Sequence, residues 1–483
     1  MGNKITPSDF TDDTDSMIHQ CKSVLSVGNI NSSYGYFAVC ENQCNQWEIE
    51  KNRMKFVSPI EAVGLVQSGD TIVVQGSTSI PMVLLRALTE RANELRDVKV
   101  ISGFGVHPEE APYAKRELMD SFRALNIFVP NNLRRAMREG VADTIPCFLG
   151  EVPSLFRSGQ VPVDVAFLNV SEPDENGYCS YGISADIAFS GAECAKTVIA
   201  QVNKYMPRTF GDPVIHVSQI AALCRGDEPL IEVPTPVPSE IETRIGNFIA
   251  NEIPDGATLQ IGVGGIPNAV INALSNHQHL GLHTEAITDG VLPLIEKGII
   301  DNSLKKIYPG KSLGSLVLGS KHLYEYMDNN PDFVIRDVAF TNDPQNIRQN
   351  PKAMAINSAV EVDLTGQICA DSIGETIISG VGGQHDFMYG AALSEGGKCF
   401  IALPSMTSKG QSKIVANLAL GAGVVTTRFQ AQYIATEHGI VYLRNLPLAE
   451  RARALISIAD PSVREDLERA AVQRFGIGFL RLK

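Results

Sequence analysis

The chain has 483 residues, with 41 Lys plus Arg against 54 Asp plus Glu, so its formal net charge is 41 − 54 = −13. That length exceeds one hydrophobic core and sets an expectation of two large domains or about three smaller ones. The acidic balance disfavours nucleic acid as a partner, while an anionic small ligand stays open wherever basic side chains gather.

No apolar run is long enough to cross a bilayer, and no basic segment followed by an apolar stretch opens the chain, so the expectation is a cytoplasmic protein without a membrane partner. Nine scattered cysteines, an odd number, suit reduced thiols better than a disulfide framework. Cys40 and Cys44 lie close together, but no second pair follows at zinc-site spacing, and no metal is expected. Residues 1–6 fit the permissive N-myristoylation pattern, which reads as a chance match.

Residues 1–51 are polar, weakly periodic and hold the one tryptophan, Trp47, and read as an N-terminal extension. Residues 59–66 read as a short amphipathic helix. The segment SGDTIVVQGSTSIPMVLLRALTE that follows has a counterpart, DGATLQIGVGGIPNAVINALSNH. Gly69 and Thr71 match Gly256 and Thr258, and Ile80, Pro81, Ala87 and Leu88 match Ile266, Pro267, Ala273 and Leu274. The offsets are 256 − 69 = 187 and 266 − 80 = 186. A strand, turn and helix unit is therefore duplicated, and carrying the offset of 187 forward sets Val98 level with Glu285.

Apolar strands alternating with helical stretches such as 132–139 carry the α/β signature with a largely parallel sheet. Four prolines in DEPLIEVPTPVPSE cannot occupy a helix interior or a central strand, and mark a boundary. The expected organisation is two related open-sheet α/β domains, 52–228 and 241–483, joined by a Pro-rich linker at 229–240. The second ends in a helical run over 448–472.

Chemistry is most concentrated in LQIGVGGIPNAVINALSNHQHLGLHTEAITDG. Leu259, Ile261 and Val263 alternate as in a strand, and Gly262, Gly264 and Gly265 bare the backbone at a helix start, where amides attract phosphate or carboxylate. Glu285 follows, just before an Asp289-Gly290 turn. A second cluster, Gly380, Val381, Gly382 and Gly383, reads first as a plain tight turn, with a source of amides for a developing oxyanion as the alternative. Gly262-x-Gly264-x-x-Pro267 approaches the dinucleotide-binding fingerprint but has proline for its third glycine. Gly310-x-Ser312-x-Gly314 spells a nucleophile elbow without the required buried strand before it. The same glycine is no P-loop, because Lys305 replaces the first glycine.

The blocks GVGGIPNAV, HTEAITDG, NSAVEVDLTGQ, SGVGGQHDF, IALPS and ATEHGI resemble, in that order, the acetyl-CoA hydrolase/transferase family, which includes 4-hydroxybutyrate and butyrate:acetate CoA-transferases. The similarity runs from about residue 52 to 470. It implies a class I CoA-transferase fold and makes Glu285 the residue that becomes a glutamyl-CoA thioester. CoA would be held by Gly262, Val263, Gly264, Gly265, Ile266, Asn357, Gly380 and Gly383, with Lys409 facing a CoA phosphate. An amide of Gly382 or Gly383 would serve the oxyanion. His385 stands where the family usually has an apolar residue, which bears on the acyl pocket.

The expected function is acyl-CoA:carboxylate CoA transfer between short-chain acids, with acetate as one partner. CoA and acyl-CoA are then substrates, and no permanently bound cofactor is expected. A homodimer is one assembly the sequence allows. The rival readings are an acyl-CoA hydrolase using the same glutamate, a dinucleotide-dependent oxidoreductase, and a CoA-binding sensor without catalysis.

Overall fold

The computed structural model describes residues 56–481; the extension, with Cys40, Cys44 and Trp47, lies outside the described residues. Helix α1 (Pro59–Val63) starts on a capping box in which Ser58 and Glu61 satisfy each other's backbone N–H groups. It stops short of the predicted residue 66 because Gly64 already closes the turn, donating back to Ile60 and Glu61.

From there the chain builds β1 (Thr71–Val74), α2 (Met82–Glu90), β2 (Val98–Ser102), β3 (Phe122–Asn126), β4 (Ala142–Thr144), β5 (Val165–Val170), α3 (Ala188–Cys194), β6 (Thr197–Val202) and β7 (Ala222–Arg225). These strands form a seven-stranded sheet ordered β7-β6-β5-β1-β2-β3-β4, parallel throughout. Strands β1 and β5 are buried at every position, as expected where both faces of a parallel sheet are covered.

Residues 226–239 run without regular structure, yet they are fastened along the way. Val233 N–H donates to Gly319 O at 2.9 Å, and the Tyr324 hydroxyl donates to Ile231 O at 2.9 Å. Ser239 then opens α4 (Glu240–Ala250) with a second capping box, closed by Glu242.

Next come β8 (Thr258–Ile261), α5 (Gly265–Ala273), β9 (Gly281–Leu282), β10 (Ala286–Thr288), β11 (Leu316–Leu318), β12 (Ala353–Ser358), α6 (Gln384–Leu393), β13 (Lys398–Ala402), β14 (Tyr433–Thr436) and β15 (Gly439–Tyr442). The main sheet is ordered β9-β8-β12-β13-β14-β15, parallel except for the terminal β14/β15 pair. Strands β10 and β11 form a small parallel pair of their own. The predicted helix over 448–472 is two helices, Leu448–Ser457 and Arg464–Phe475. Pro461 lacks an N–H, and the Asp460 carboxylate takes the N–H of Ser462 at 2.9 Å.

The protein is thus α/β with two open-sheet domains of one topology: order β7-β6-β5-β1-β2 in the first matches β14-β13-β12-β8-β9 in the second. The duplication holds, but the pairing of Val98 with Glu285 does not. Thr71 lies opposite Lys99, whereas Thr258 lies opposite Gly281. The two connections measure 99 − 71 = 28 and 281 − 258 = 23 residues, so the second is five shorter. Glu285 therefore stands level with Gly103 (99 + 285 − 281), and Val98 stands level with Leu280. A constant offset carried the sequence match past a deletion it could not see.

Apolar clusters cover both faces of these sheets: one around Ile72, Leu84, Val100 and Phe167 and another around Val73, Ile101 and Ile187 on the first, and one around Leu259, Val270, Ile356 and Phe400 and another around Ala355, Phe387 and Ile401 on the second. Each fully buried side chain of this kind contributes about 1.5 to 3 kcal/mol. Among the described residues, no helix is long and apolar enough to cross a membrane.

Candidate active site

Glu285 sits at the entrance to β10, and its main chain is fixed before its side chain is considered. Its carbonyl oxygen accepts from Ser315 N–H at 2.9 Å and from Leu316 N–H at 3.1 Å. Just upstream, the Thr284 hydroxyl donates to Ile261 O at 3.2 Å. His283 is buried and spans two partners, Thr341 O at 2.8 Å and Asn350 Nδ2 at 2.9 Å, and burial pushes its imidazole down to about 3. Beneath this segment the buried Lys305 Nζ donates to Leu282 O and Lys311 O, both at 2.6 Å.

The carboxyl group of Glu285 is enclosed although the residue as a whole is half-buried. Asn342 Nδ2 donates to Oε2 at 2.8 Å, and the Gly383 N–H also donates to the carboxyl. Loss of hydration pushes the group up to about 7; the bond from Asn342 opposes this, the nearby Asp386 and Asp186 carboxylates add to it, and the bond from Gly383 opposes it. The group is held in place, but its anionic form is poorly stabilised.

A Cβ on Gly383 would overlap both Glu285 Oε2 and Asn342 Nδ2, so any larger residue here would displace the carboxyl and its donor. Gly382 adopts φ of 56°, a left-handed conformation that glycine takes without cost, and a Cβ there would lie 3.3 Å from the Phe128 ring. A Cβ on Gly380 would lie 2.7 Å from Ile127 O. Loops at the carboxyl ends of the first sheet thus press on the glycine turn. Leu149 N–H donates to Gly382 O at 3.2 Å, and Gly150 N–H donates to Asp386 Oδ2 at 3.0 Å.

The other predicted residues lie as follows. Gly262 ends β8, with its N–H on Ile356 O at 3.1 Å, so the strand does not reach Val263, which is 49% exposed. Gly264 has φ of 136°. Gly265 starts α5, and a Cβ on it would strike the Glu242 carboxylate; an acidic side chain of the protein itself already lies against this helix start. Ile266 is buried. Asn357 lies beside Gly262 and exchanges hydrogen bonds with Gln260 at 2.9 and 3.4 Å. Lys409 lies on an exposed turn, its N–H on Thr407 Oγ1. Ser312, of the rejected elbow, is buried and accepts from Asn302 Nδ2 at 3.1 Å. His385 stacks on Phe148, centroids 4.0 Å apart and planes 13° from parallel.

Sequence reasoning missed Asn342, Asp386, Asp186, Phe128 and Gly150. Asp386 had a signal, since a carboxylate three residues past a glycine turn at a helix start has amides nearby. Asn342, in FTNDPQ, had none. A cleft of about 640 Å³ also opens among Tyr181, Phe189, Val198, Ile215 and Ile220, but none of the carboxyl's partners lines it. Among the described residues, no three His, Cys, Asp or Glu side chains are grouped to hold a metal.

The Glu285 carboxyl is thus enclosed, met by two N–H donors and set near two further carboxylates, an arrangement whose chemistry suits acyl transfer. Comparison with known proteins sharpens this. Residues 41–234 match the acetyl-CoA hydrolase/transferase N-terminal domain and residues 319–471 the C-terminal domain. The chain is 44% identical over 422 residues to a succinyl-CoA:acetate/propanoyl-CoA:succinate CoA transferase of Fasciola hepatica, covering 86% of this chain and 87% of that one. It is 43% identical to a 4-hydroxybutyrate coenzyme A transferase of Clostridium kluyveri, over 89% of this chain and all of that one. The crystal structure of RipA from Yersinia pestis superposes with a TM-score of 0.82 at 32% identity, covering 89% of this chain and 99% of that one. The chain belongs to the acetyl-CoA hydrolase/transferase family, and it is a CoA-transferase.

Proposed function

We propose that the protein moves CoA between short-chain carboxylic acids, with acetate as one partner, by ping-pong chemistry through a glutamyl-CoA thioester on Glu285. The observation that supports this reading is the enclosed Glu285 carboxyl, held by Asn342 and Gly383 and flanked by Asp186 and Asp386. The carboxylate attacks the acyl carbon of an acyl-CoA and expels CoA thiolate, leaving a mixed anhydride. Thiolate then attacks the Glu285 carbonyl carbon, the free acid departs, and the thioester conserves the activation energy. A second acid reverses the sequence.

During thiolate attack negative charge builds on a Glu285 oxygen. Asn342 Nδ2 and the Gly383 N–H already point at this carboxyl, and a donor so placed contributes about 3 kcal/mol. In this reading CoA lies along Gly262, Val263, Gly264, Gly265, Ile266, Asn357 and Gly380, with Lys409 toward a phosphate, and Glu242 swings off the α5 start when the ligand arrives. The working unit is domains 52–228 and 241–483 joined by the 229–240 linker, and reaction with CoA thioesters suits a cytoplasmic enzyme.

The test is CoA transfer from acetyl-CoA to butyrate, succinate and 4-hydroxybutyrate, alongside CoA release into water. Transfer exceeding hydrolysis supports the proposal. Hydrolysis that added acid does not divert would favour a hydrolase, whose water could reach the half-buried Glu285.

A further inference from the structure

The two oxygens of the Glu285 carboxyl have different surroundings. Asn342 Nδ2 donates to Oε2, and among the described residues no side chain donates to Oε1. An aromatic ring bounds the space in front of Oε1. A Cβ on Gly382 would lie 3.3 Å from Phe128 Cε2 and 3.9 Å from Glu285 Oε1, so ring edge and oxygen are at most 3.3 + 3.9 = 7.2 Å apart.

The fold holds this ring from two sides. Strand β2 ends at Ser102 and β3 at Asn126, which are partners in the register, and Phe104 and Phe128 each stand two residues further on, at the carboxyl edge of the first sheet. Their rings meet edge to face, centroids 5.2 Å apart and planes at 74°, an arrangement that aromatic quadrupoles favour. The Phe104 main chain is clamped, since Ser77 N–H donates to Phe104 O at 2.6 Å and Val106 N–H donates to Ser77 O at 2.9 Å. From the second domain the glycine turn presses on Phe128: a Cβ on Gly380 would lie 3.1 Å from its Cα and 3.2 Å from its Cδ2. Yet both rings are only half-buried, and neither belongs to the four apolar clusters that cover the sheets. Two large rings left part-open beside an enclosed carboxyl offer apolar surface to a ligand.

We propose that Phe128, backed by Phe104, is the wall of the acyl pocket and sets the length of acyl chain the enzyme accepts. This deepens the reading above and rests on attack by Glu285. An acyl carbon in line for attack stands about 3 to 3.5 Å from its nucleophile, and a carbon rests about 3.5 to 4.0 Å from a ring atom. A span of at most 7.2 Å holds one such carbon and nothing beyond it along that line. Further methylenes have to turn aside along rings that offer no hydrogen-bond donor, so the substrates this wall suits are short, unbranched, apolar acyl groups.

The experiment measures kcat/KM for acetyl-, butyryl- and hexanoyl-CoA with propionate as the common acceptor. Phe128→Ala removes the wall, and Phe128→Leu shortens it while keeping an apolar side chain. One methylene fitted to or excluded from an apolar pocket is worth about tenfold or more in kcat/KM, so the hexanoyl-to-acetyl ratio should rise at least about tenfold in Phe128→Ala and by an intermediate factor in Phe128→Leu. A ring with a purely structural role would lower all three rates by one factor, and an unchanged ratio in both variants would overturn the proposal. Should neither variant fold, the wild-type series decides: kcat/KM has to fall from acetyl- to hexanoyl-CoA, and a rise with chain length refutes the wall. A wild type that transfers CoA but shows no adduct on Glu285 would instead refute the reading on which the proposal rests.

Discussion

Replacing Glu285 by Gln should stabilise the fold while removing activity, and the size of the gain follows from the site. The carboxyl is pushed from an ordinary 4.5 up to about 7, so the folded protein binds the proton more tightly than the unfolded chain. Between these values the folded state holds more protons, and stability falls as pH rises from 4.5 to 7 and then levels. The full penalty is 7 − 4.5 = 2.5 units, or about 3 kcal/mol. Glu285→Gln keeps the shape and an acceptor for Asn342 and Gly383 but cannot ionise. Its advantage over wild type should be under about 1 kcal/mol at pH 5 and about 3 kcal/mol at pH 8. Urea unfolding of both proteins at the two pH values measures this, with transfer assays run in parallel. A variant no more stable than wild type at pH 8, or one whose advantage ignores pH, would show that the carboxyl is not strained as described.

Two further outcomes test the surroundings of the carboxyl. Gly383→Ala drives a methyl into Glu285 Oε2 and Asn342 Nδ2; displacing the carboxyl by about 1 Å should cost roughly 10²-fold in kcat with little change in CoA affinity, and unchanged kcat would remove the donor role of this turn. Lys305, pushed down by burial to about 7, binds fewer protons folded than unfolded, so its contribution should make stability rise between pH 7 and 10.5. Lys305→Met should abolish that rise and, by orphaning Leu282 O and Lys311 O, cost about 1 to 3 kcal/mol at high pH. A slope that persists in the variant would assign it elsewhere.

The elements easiest to read from sequence were those whose signal is local. Strand β8 and helix α5 follow from glycines and apolar spacing within twenty residues, and their counterparts β1 and α2 follow from the repeat. Glu285 was legible because its block resembles a family and because a glycine-rich turn lies one helix upstream; the further support drawn from Val98 fell with the register. Its chemical environment was not, because Asn342, Asp186 and Phe128 come from distant chain segments joined only by the fold. The mistaken match of Val98 with Glu285 has the same origin, since strand register is a pairing property and a connection five residues shorter, one of them lost in the turn and four after the helix start, leaves no local mark. Val263 was read as strand on alternation alone, but the glycine before it ends the ladder.

The central claim is that Glu285 itself carries CoA during turnover. Protein mixed with acetyl-CoA in the absence of acceptor acid, quenched rapidly and weighed intact, should gain the mass of CoA. Digestion should place the adduct on the peptide holding Glu285, and borohydride should convert it to an alcohol and stop turnover. A protein that transfers CoA yet shows no adduct under these conditions, with initial rates of the ternary-complex form, would contradict the account.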